Sequence, residues 1–483
     1  MDFESLEEKI WSWGISTPEK IALINKNEIY TYKALFENIW ATKIWFEKEF
    51  ALEKGDSVLL GANKNVHFIF SYFAIHLIGA KVIPLDEQIQ TERLDLIINK
   101  TNPKLILGFK HDGDFRCCDY DILSTIKTAV VPNQIDFPKF NQVADILFTT
   151  GTTGNPKGVL LTHENIASSA NNINSYIGND SNDVELLALP ISHSFGLGRI
   201  KCVLTIGGTL VLLGSIVNMK RMFRAFEEYK VTGFGMVPAS WQYIQKMSGN
   251  RLADFSGQLK YIELGSASMP MEDKLRLSQL FPDTRICMHY GLTEASRSTF
   301  MEFHSDAMFL DTIGKASPDV DISIRDSLGY EMSIGEEGEI CIKGNHVTIG
   351  YLDAINNDFF FEDYFRTGDI GNIDNQGYIR LSGRYNEIIN VGGKKLSPFE
   401  VESKIHEFDP RLESACIGIK DPNGVMGEVV KAFIVRNNSL KSFDDINNFL
   451  NTKLESYKVP AVYEWIDKIP KTNSGKIQRQ KLK

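Results

Sequence analysis

The spacing of apolar residues changes character along the chain. Tyr32 to Lys48 carries apolar positions at helical spacing and predicts an amphipathic helix, with Thr31 as its N-cap. A short apolar run, Ser57–Gly61, predicts a buried strand. A helix from Val66 to Gly79 and a strand from Lys81 to Leu85 follow, which together make a βαβ unit. Further strands are predicted at 104–107, 129–131, 186–189, 209–213, 233–237 and 261–264. Strands alternating with helices over some 300 residues predict α/β layers with largely parallel sheets. The period then drops to two. Val320–Ile324 and Glu339–Lys343 alternate, and Ile370–Leu381 reads as two strands joined at Asp374–Gly377. That pattern predicts an antiparallel, barrel-like part. After Gly383-Arg384 a small α+β segment is expected: helices at Pro398–Glu407 and Phe443–Lys453, strands near 416–419 and 430–435, and a basic tail from Lys471.

Length and composition sharpen this picture. A chain of 483 residues exceeds one ordinary core, so more than one domain is expected. The domains expected are 1–383 and 388–483, with a hinge at 384–387. A formal net charge of -10 speaks against a nucleic-acid surface. The six cysteines form no CxxC pair and suit reduced thiols in a cytoplasmic protein. The acidic start MDFESLEEKIW has no secretory pattern. The two longest apolar stretches, 67–85 and 186–213, carry histidines and basic residues, so both read as core and not as membrane spans.

The richest chemistry lies in Thr149–Gly158, TTGTTGNPKG. Glycines at 151, 154 and 158 let backbone approach a ligand, and successive N–H groups form an anion site. Threonine hydroxyls add donors and Lys157 adds a point charge. A phosphate cradle and a plain turn both fit this composition; the repeated Thr-Thr-Gly with its Pro-Lys-Gly close favours the cradle. The loop has neither Walker nor GxGxxG spacing. Tyr290-Gly291-Leu292-Thr293-Glu294 follows an apolar strand; Thr293 suits phosphate and Glu294 suits Mg²⁺, although a strand-end turn explains them as well. Asp369, after Thr367-Gly368, suits ribose hydroxyls or an ordinary Asx turn. Ser474-Gly475-Lys476 is a second glycine–lysine turn, near the C-terminus. His193 lies in an apolar setting, where a lone histidine is usually a core residue.

In this order and spacing the motifs resemble the adenylate-forming superfamily: acyl- and aryl-CoA synthetases, adenylation domains of peptide synthetases, and firefly luciferase. The resemblance spans the chain. It includes Gly55–Val58, the 149–158 loop, Pro190–Gly196, Tyr290–Glu294, Thr367–Asp369, Gly383-Arg384, Gly393, Tyr457–Pro460 and Ser474–Lys476. It implies a large N-terminal part of two α/β layered subdomains plus a small β-barrel, followed by a small mobile α+β domain. It also implies that a carboxylate attacks the α-phosphorus of ATP, pyrophosphate leaves, and a thiol then displaces AMP. ATP, Mg²⁺ and coenzyme A are the implied partners, or a carrier protein's phosphopantetheine in place of coenzyme A. The expected assembly is a monomer or homodimer.

By the same resemblance the catalytic set is Lys476, Glu294, Thr293 and His193, with Glu294 on Mg²⁺. Thr149, Thr150, Gly151, Thr152, Thr153, Gly154 and Lys157 hold the β- and γ-phosphates. Gly265, Ser266, Ala267, His289, Tyr290 and Gly291 border adenine and the acyl pocket. Asp369 and Arg384 take the ribose, and Gly393 and Lys394 belong to the thioester-forming pose. The chain departs from the family pattern at Asn386, at Asn390 and at Gly265–Ser268. His193 stands where amino-acid-activating relatives have an aspartate, so the substrate is expected to be a fatty or aromatic acid and not an α-amino acid. Arg199 nearby leaves room for a second polar group on that acid. Intact Lys157, Glu294, Asp369 and Lys476 speak against a non-catalytic nucleotide-binding regulator.

Overall fold

The computed structural model describes residues 4–111, 115–149, 156–354, 358–422, 426–472 and 475–482. The chain forms two compact units. The first is Met1–Leu310 with Gly314–Asp321 and Lys343–Phe360; the second is Asp311–Ile313 with Ile322–Ile342 and Phe361–Lys483. The segment expected as a hinge, 384–387, falls within the second unit.

Two sheets organise the first unit. One has seven strands, in the order Gly350–Tyr351, Lys157–Thr162, Val143–Thr149, Lys81–Leu85, Ser57–Gly61, Leu105–Leu107 and Cys117–Cys118. The other has nine, and six consecutive strands of it are parallel: Arg285–Tyr290, Tyr261–Leu264, Gly233–Met236, Val184–Leu187, Thr209–Leu212 and Ile21–Asn25. Period two divides each strand between two cores. Val58 and Leu60 face one core while Leu59 faces another, and Leu187 and Leu186 divide in the same way. The shared core draws on both sheets and on helices Leu6–Ser16, Tyr32–Phe50, Val66–Ile78, His163–Ile177 and Ser194–Thr205. Those helices therefore form a middle layer, which explains why Val66–Ile78 is apolar almost all round.

Local signals set the helix ends. Thr31 accepts a hydrogen bond from the Ala34 amide, as an N-cap should. The helix after it runs to Phe50 and closes through Ala51 in the left-handed region. Thr162 and Asn165 form a reciprocal capping box on His163–Ile177. The strand expected at Ala129–Val131 does not form. Pro132 follows at once, and Val130 is 93% exposed; Val131 packs against the shared core, but the run has no ladder partner.

The second unit contains a five-stranded sheet, in which Gly338–Lys343 and Ile379–Arg384 both pair antiparallel with Tyr364–Ile373. After it come the hairpin Ile389–Val391/Lys394–Leu396 and a three-stranded sheet, Glu413–Lys420, Glu428–Val435 and Val462–Trp465. Helices Pro398–Phe408 and Phe443–Lys453 cover that sheet and supply its core with Val401, Ile405, Ile446 and Leu450.

A buried polar network ties the middle layer of the first unit together. His76 lies between two carboxylates, with Nδ1 2.8 Å from Glu7 and Nε2 3.2 Å from Asp145. Asp145 also accepts from Lys201 Nζ at 2.7 Å and from the Tyr72 hydroxyl at 2.8 Å. Two carboxylates thus face two cations, His76 and Lys201. Burial alone would discharge His76, but its bonds to Asp145 and Glu7 overcome this and raise it to about 9. His163, close to Glu7 and also buried, is instead pushed down to about 4 and is neutral.

The signs fix a pH window. The stability contributed by His76 is complete below its unfolded value near 6.5 and is lost as pH rises through about 9. His163 acts in the opposite direction, between about 4 and 6.5, and so does not enter that window. His76→Gln is therefore expected to lower the thermal midpoint most near pH 6 and least near pH 9.5, a difference of roughly 3 kcal/mol. Thermal melts of both proteins at the two pH values check this; an equal penalty at both contradicts a charged His76.

Candidate active site

Parallel strands of an open α/β sheet expose their carboxyl ends, and ligands bind there. Four adjacent strands of the nine-stranded sheet end at the predicted positions. Val184–Leu187 leads to His193, Gly233–Met236 to Val237, Tyr261–Leu264 to Gly265–Ala267, and Arg285–Tyr290 to Gly291–Glu294. The register aligns Met236 with Leu264 and Leu264 with Met288, so the ends lie level. Residues distant in sequence thereby share one rim.

Charged groups beneath the rim hold it in place. Glu263 is fully buried, and its carboxylate contacts Arg297 Nε at 3.1 Å, Arg199 Nη1 at 3.1 Å and His289 Nδ1 at 2.8 Å. Burial works to raise its pKa; Arg297, Arg199 and His289 overcome that and hold it well below the usual carboxylate range. Arg199 also pairs with Glu185, whose carboxylate accepts from the Tyr261 hydroxyl at 2.5 Å. The remaining Arg297 donors reach the carbonyls of Ser194 and Phe195, both at 2.9 Å, and so fix the first turn of helix Ser194–Thr205. Arg199 is thus committed to Glu185 and Glu263. This corrects the expectation that it leaves room for a polar group on the acid: the charge is spent within the protein.

The rim itself is tight. A Cβ on Gly265 would lie 2.1 Å from His289 Nε2, so only glycine fits there. Ser266, next to it, takes the left-handed region at φ 72°. The Phe195 ring meets His289 edge to face at 4.7 Å. Burial lowers the His289 pKa, against the pull of Glu263, so the imidazole is neutral near pH 7. A space of about 30 Å³ between helices His163–Ile177 and Ser194–Thr205 is bordered by Ser194, Thr293 and Arg297; it is too small for an acyl group.

The strands on either side of the predicted phosphate loop pair with each other. Strands Val143–Thr149 and Lys157–Thr162 are antiparallel, and Thr149 pairs directly with Lys157. Thr150, Gly151, Thr152, Thr153 and Gly154 lie outside the described residues. Gly350–Tyr351 adds to this hairpin by pairing with Val159 and Leu160. The Tyr351 hydroxyl donates to Glu294 Oε1 at 2.7 Å, while the Lys157 ammonium lies 5.4 Å from the Tyr351 ring and 5.1 Å from the Phe359 ring. The Glu294 carbonyl accepts from the Thr348 amide at 2.7 Å. The structure therefore brings Lys157, Thr149 and Glu294 together through Tyr351. A carboxylate held on the same tyrosine as Lys157 fits Mg²⁺, which takes one or two carboxylates plus substrate oxygens.

The other predicted residues belong to the second unit. Asp369 is 2% exposed, faces Arg384 across the sheet and pairs with its Nε at 2.7 Å. Gly392 and Gly393, both at positive φ, make the two-residue turn of the hairpin that carries Lys394, whose ammonium lies 4.8 Å from the Tyr457 ring. Lys476 sits in a tight turn: its carbonyl accepts from the Thr472 amide at 2.8 Å, and Lys471 bridges to Ile477.

The comparisons agree with this geometry. The profile of the AMP-binding enzyme family matches residues 11–352, and that of the AMP-binding enzyme C-terminal domain matches 400–476. A 2-succinylbenzoate–CoA ligase of Bacillus licheniformis is 28% identical over 478 residues, covering 96% of this chain and 97% of its own. The enzyme of the same name from Staphylococcus epidermidis is 32% identical over 352 residues, 71% of each chain. Among solved structures, ATP-bound MatB from Rhodopseudomonas palustris is 25% identical with a TM-score of 0.90, covering 99% of this chain and 98% of its own. The o-succinylbenzoate CoA synthetase of Bacillus subtilis, in complex with its acyl-adenylate, shares the fold at a TM-score of 0.89 over 100% of this chain and 99% of its own. The chain belongs to the AMP-binding enzyme family. It is an acid–thiol ligase of the AMP-forming acyl-CoA synthetase type, working with ATP, Mg²⁺ and coenzyme A. No helix among the described residues is long and apolar enough to cross a membrane.

Sequence reasoning missed Tyr351, Arg297 and Glu263. The Gly-Tyr pair at 350–351 is the one signal that marked Tyr351 beforehand: a lone glycine lets backbone approach closely, here onto the Lys157 strand. Tyr351→Phe keeps the ring beneath Lys157 and removes the donor to Glu294. It is expected to raise the Mg²⁺ concentration needed for half-maximal activity about 3- to 10-fold; a magnesium titration at saturating ATP measures this.

Proposed function

We propose that the acid is fatty or aromatic and carries no second charge. The observation that carries this is the sequestration of Arg199 and Arg297 by Glu185 and Glu263 beneath a rim of Phe195, Met236, Gly265 and His289. A second carboxylate on the substrate would have to be desolvated there against those charges. In a pyrophosphate-release screen, fatty and aryl monocarboxylic acids are expected to exceed 2-succinylbenzoate and other dicarboxylic acids at least about 10-fold in kcat/KM. Preference for a dicarboxylic acid overturns this assignment.

Roles within the site follow the chemistry. Attack of a carboxylate on ATP brings an anion to a polyanion, so neutralisation and in-line placement carry catalysis. Thr149, Lys157 and the loop between them grip the departing pyrophosphate, and Thr293 contacts phosphate. Glu294 holds Mg²⁺, which neutralises phosphate charge when bound. The convergence of Lys157 and Glu294 on Tyr351 supports these assignments. Asp369, with Arg384 beside it, takes the ribose hydroxyls. Gly265–Ala267 and His289–Gly291 border adenine and the acyl group, and His193 stands at the N-cap position of the helix that starts at Ser194, without a side-chain capping bond.

Lys476 bridges the attacking carboxylate and the α-phosphate during activation. Gly393 and Lys394 serve thioester formation, after the part from 388 onward turns about 384–387. Lys476→Ala is expected to lower acid-dependent ATP–pyrophosphate exchange at least about 100-fold. It is expected to leave thioester formation from supplied acyl-adenylate largely intact; equal loss of both steps contradicts the assignment. A carrier protein's phosphopantetheine presents the same thiol arm as coenzyme A. Turnover only with such a carrier moves the acceptor assignment to it.

A further inference from the structure

The sequence gives Lys476 a role and leaves Arg479, one turn later, without one. Arg479 opens the short turn Arg479–Leu482, and its side chain is only 10% exposed. Its guanidinium forks onto Glu402, with Nη1 2.6 Å from Oε1 and Nη2 3.1 Å from Oε2. Its Nε donates to Glu387 Oε2 at 2.8 Å. Glu402 stands on helix Pro398–Phe408 and also accepts from the Cys416 amide. Glu387 ends the turn Tyr385–Glu387, and at the start of that turn Arg384 is bonded to Asp369. The short segment is thus pinned at both ends by ion pairs, and Tyr385 between them is 52% exposed.

We propose that Arg479 is a positioning residue for acid activation, which locks the Lys476 turn, the helix bearing Glu402 and the Glu387 end of the 385–387 turn into one rigid piece. The proposal rests on the role of Lys476 given above. The physical need is plain. Lys476 stands on a short turn, and a turn holds its side chains only as firmly as it is itself anchored. A reacting ammonium, by contrast, must be held to about 0.5 Å. Within the turn, Lys476 is bonded to Thr472 through both its amide and its carbonyl, and Lys471 bridges to Ile477. The Lys471–Glu413 ion pair and the packing of Ile477 and Leu482 against the cluster of Ala415 and Ile417 also anchor that turn, but Arg479 alone among these ties reaches both Glu402 and Glu387, and it does so with a planar fork that lysine cannot reproduce. When the C-terminal part moves, Lys476 and Glu387 then travel together, and the bending falls on the residues before Glu387.

The test uses the full chain. Glu387→Gln cuts the link to the turn and leaves the Glu402 pair, which supports the fold; Arg479→Lys keeps the charge without the fork. In both, kcat for acid-dependent ATP–pyrophosphate exchange is expected to fall about 10- to 100-fold, with KM for ATP within about threefold. Thioester formation from supplied acyl-adenylate and coenzyme A is expected to stay within about threefold. The double variant is expected to lose little more than either single one, because both act through one contact. Amide exchange over 470–482 is expected to quicken in both variants while the melting temperature holds within about 2 °C. Equal loss of both half-reactions, unchanged pyrophosphate exchange, or unchanged amide protection overturns the proposal. Failure of the underlying reading looks different: the wild-type chain then shows no pyrophosphate exchange with any acid, while amide protection still decides whether Arg479 is the clamp.

Discussion

A carboxylate without access to water has to be met by cations, and the candidate site is built around that requirement at Glu263. Arg297 and Arg199 converge on it, and the neutral His289 ring lies 2.8 Å away. Removing one partner from such a buried pair costs about 3–5 kcal/mol, because a charge is then stranded. The network also sets geometry. Arg297 holds the first turn of the helix after His193, His289 is turned toward Gly265, and Arg199 carries the constraint on to Glu185. Three strand ends and one helix start are therefore fixed before any ligand arrives, which is the preorganisation that electrostatic catalysis needs.

The second constraint is connectivity between distant loops. The hairpin carrying Lys157 and the turn carrying Glu294 come from different sheets of the first unit, yet Tyr351 contacts both. The 385–387 turn is likewise held from Arg384 on one side and from Arg479 on the other. In both places a single amphipathic or forked side chain does what a longer stretch of secondary structure would otherwise have to do.

Much of this was legible in the sequence, for identifiable reasons. The Thr31 cap, the βαβ unit and the hairpin at Asp374–Gly377 follow local rules of capping, period and turn chemistry, and each forms where expected. The strand ends that carry the candidate site positions were readable because strands and glycine turns carry composition signals. Arg199 was misread because its fate is decided by Glu185 and Glu263, which are distant in sequence and become neighbours only when the parallel strands align. Glu263 gave no warning for the same reason, and Tyr351 gave only the glycine before it. The false strand at Ala129–Val131 shows the opposite error, in which a local apolar signal packs Val131 on the core but finds no strand to pair with.

The Glu185–Arg199–Glu263–Arg297 network also shapes how this chain can change over generations. Its members cannot be replaced singly without stranding a buried charge, so they form a block that drifts together or not at all. On the substrate reading proposed above, variation in acid preference falls to uncharged residues such as Phe195 and Met236, where a substitution leaves the charge balance of the network untouched. Scaffold and selectivity then lie on separate sets of positions.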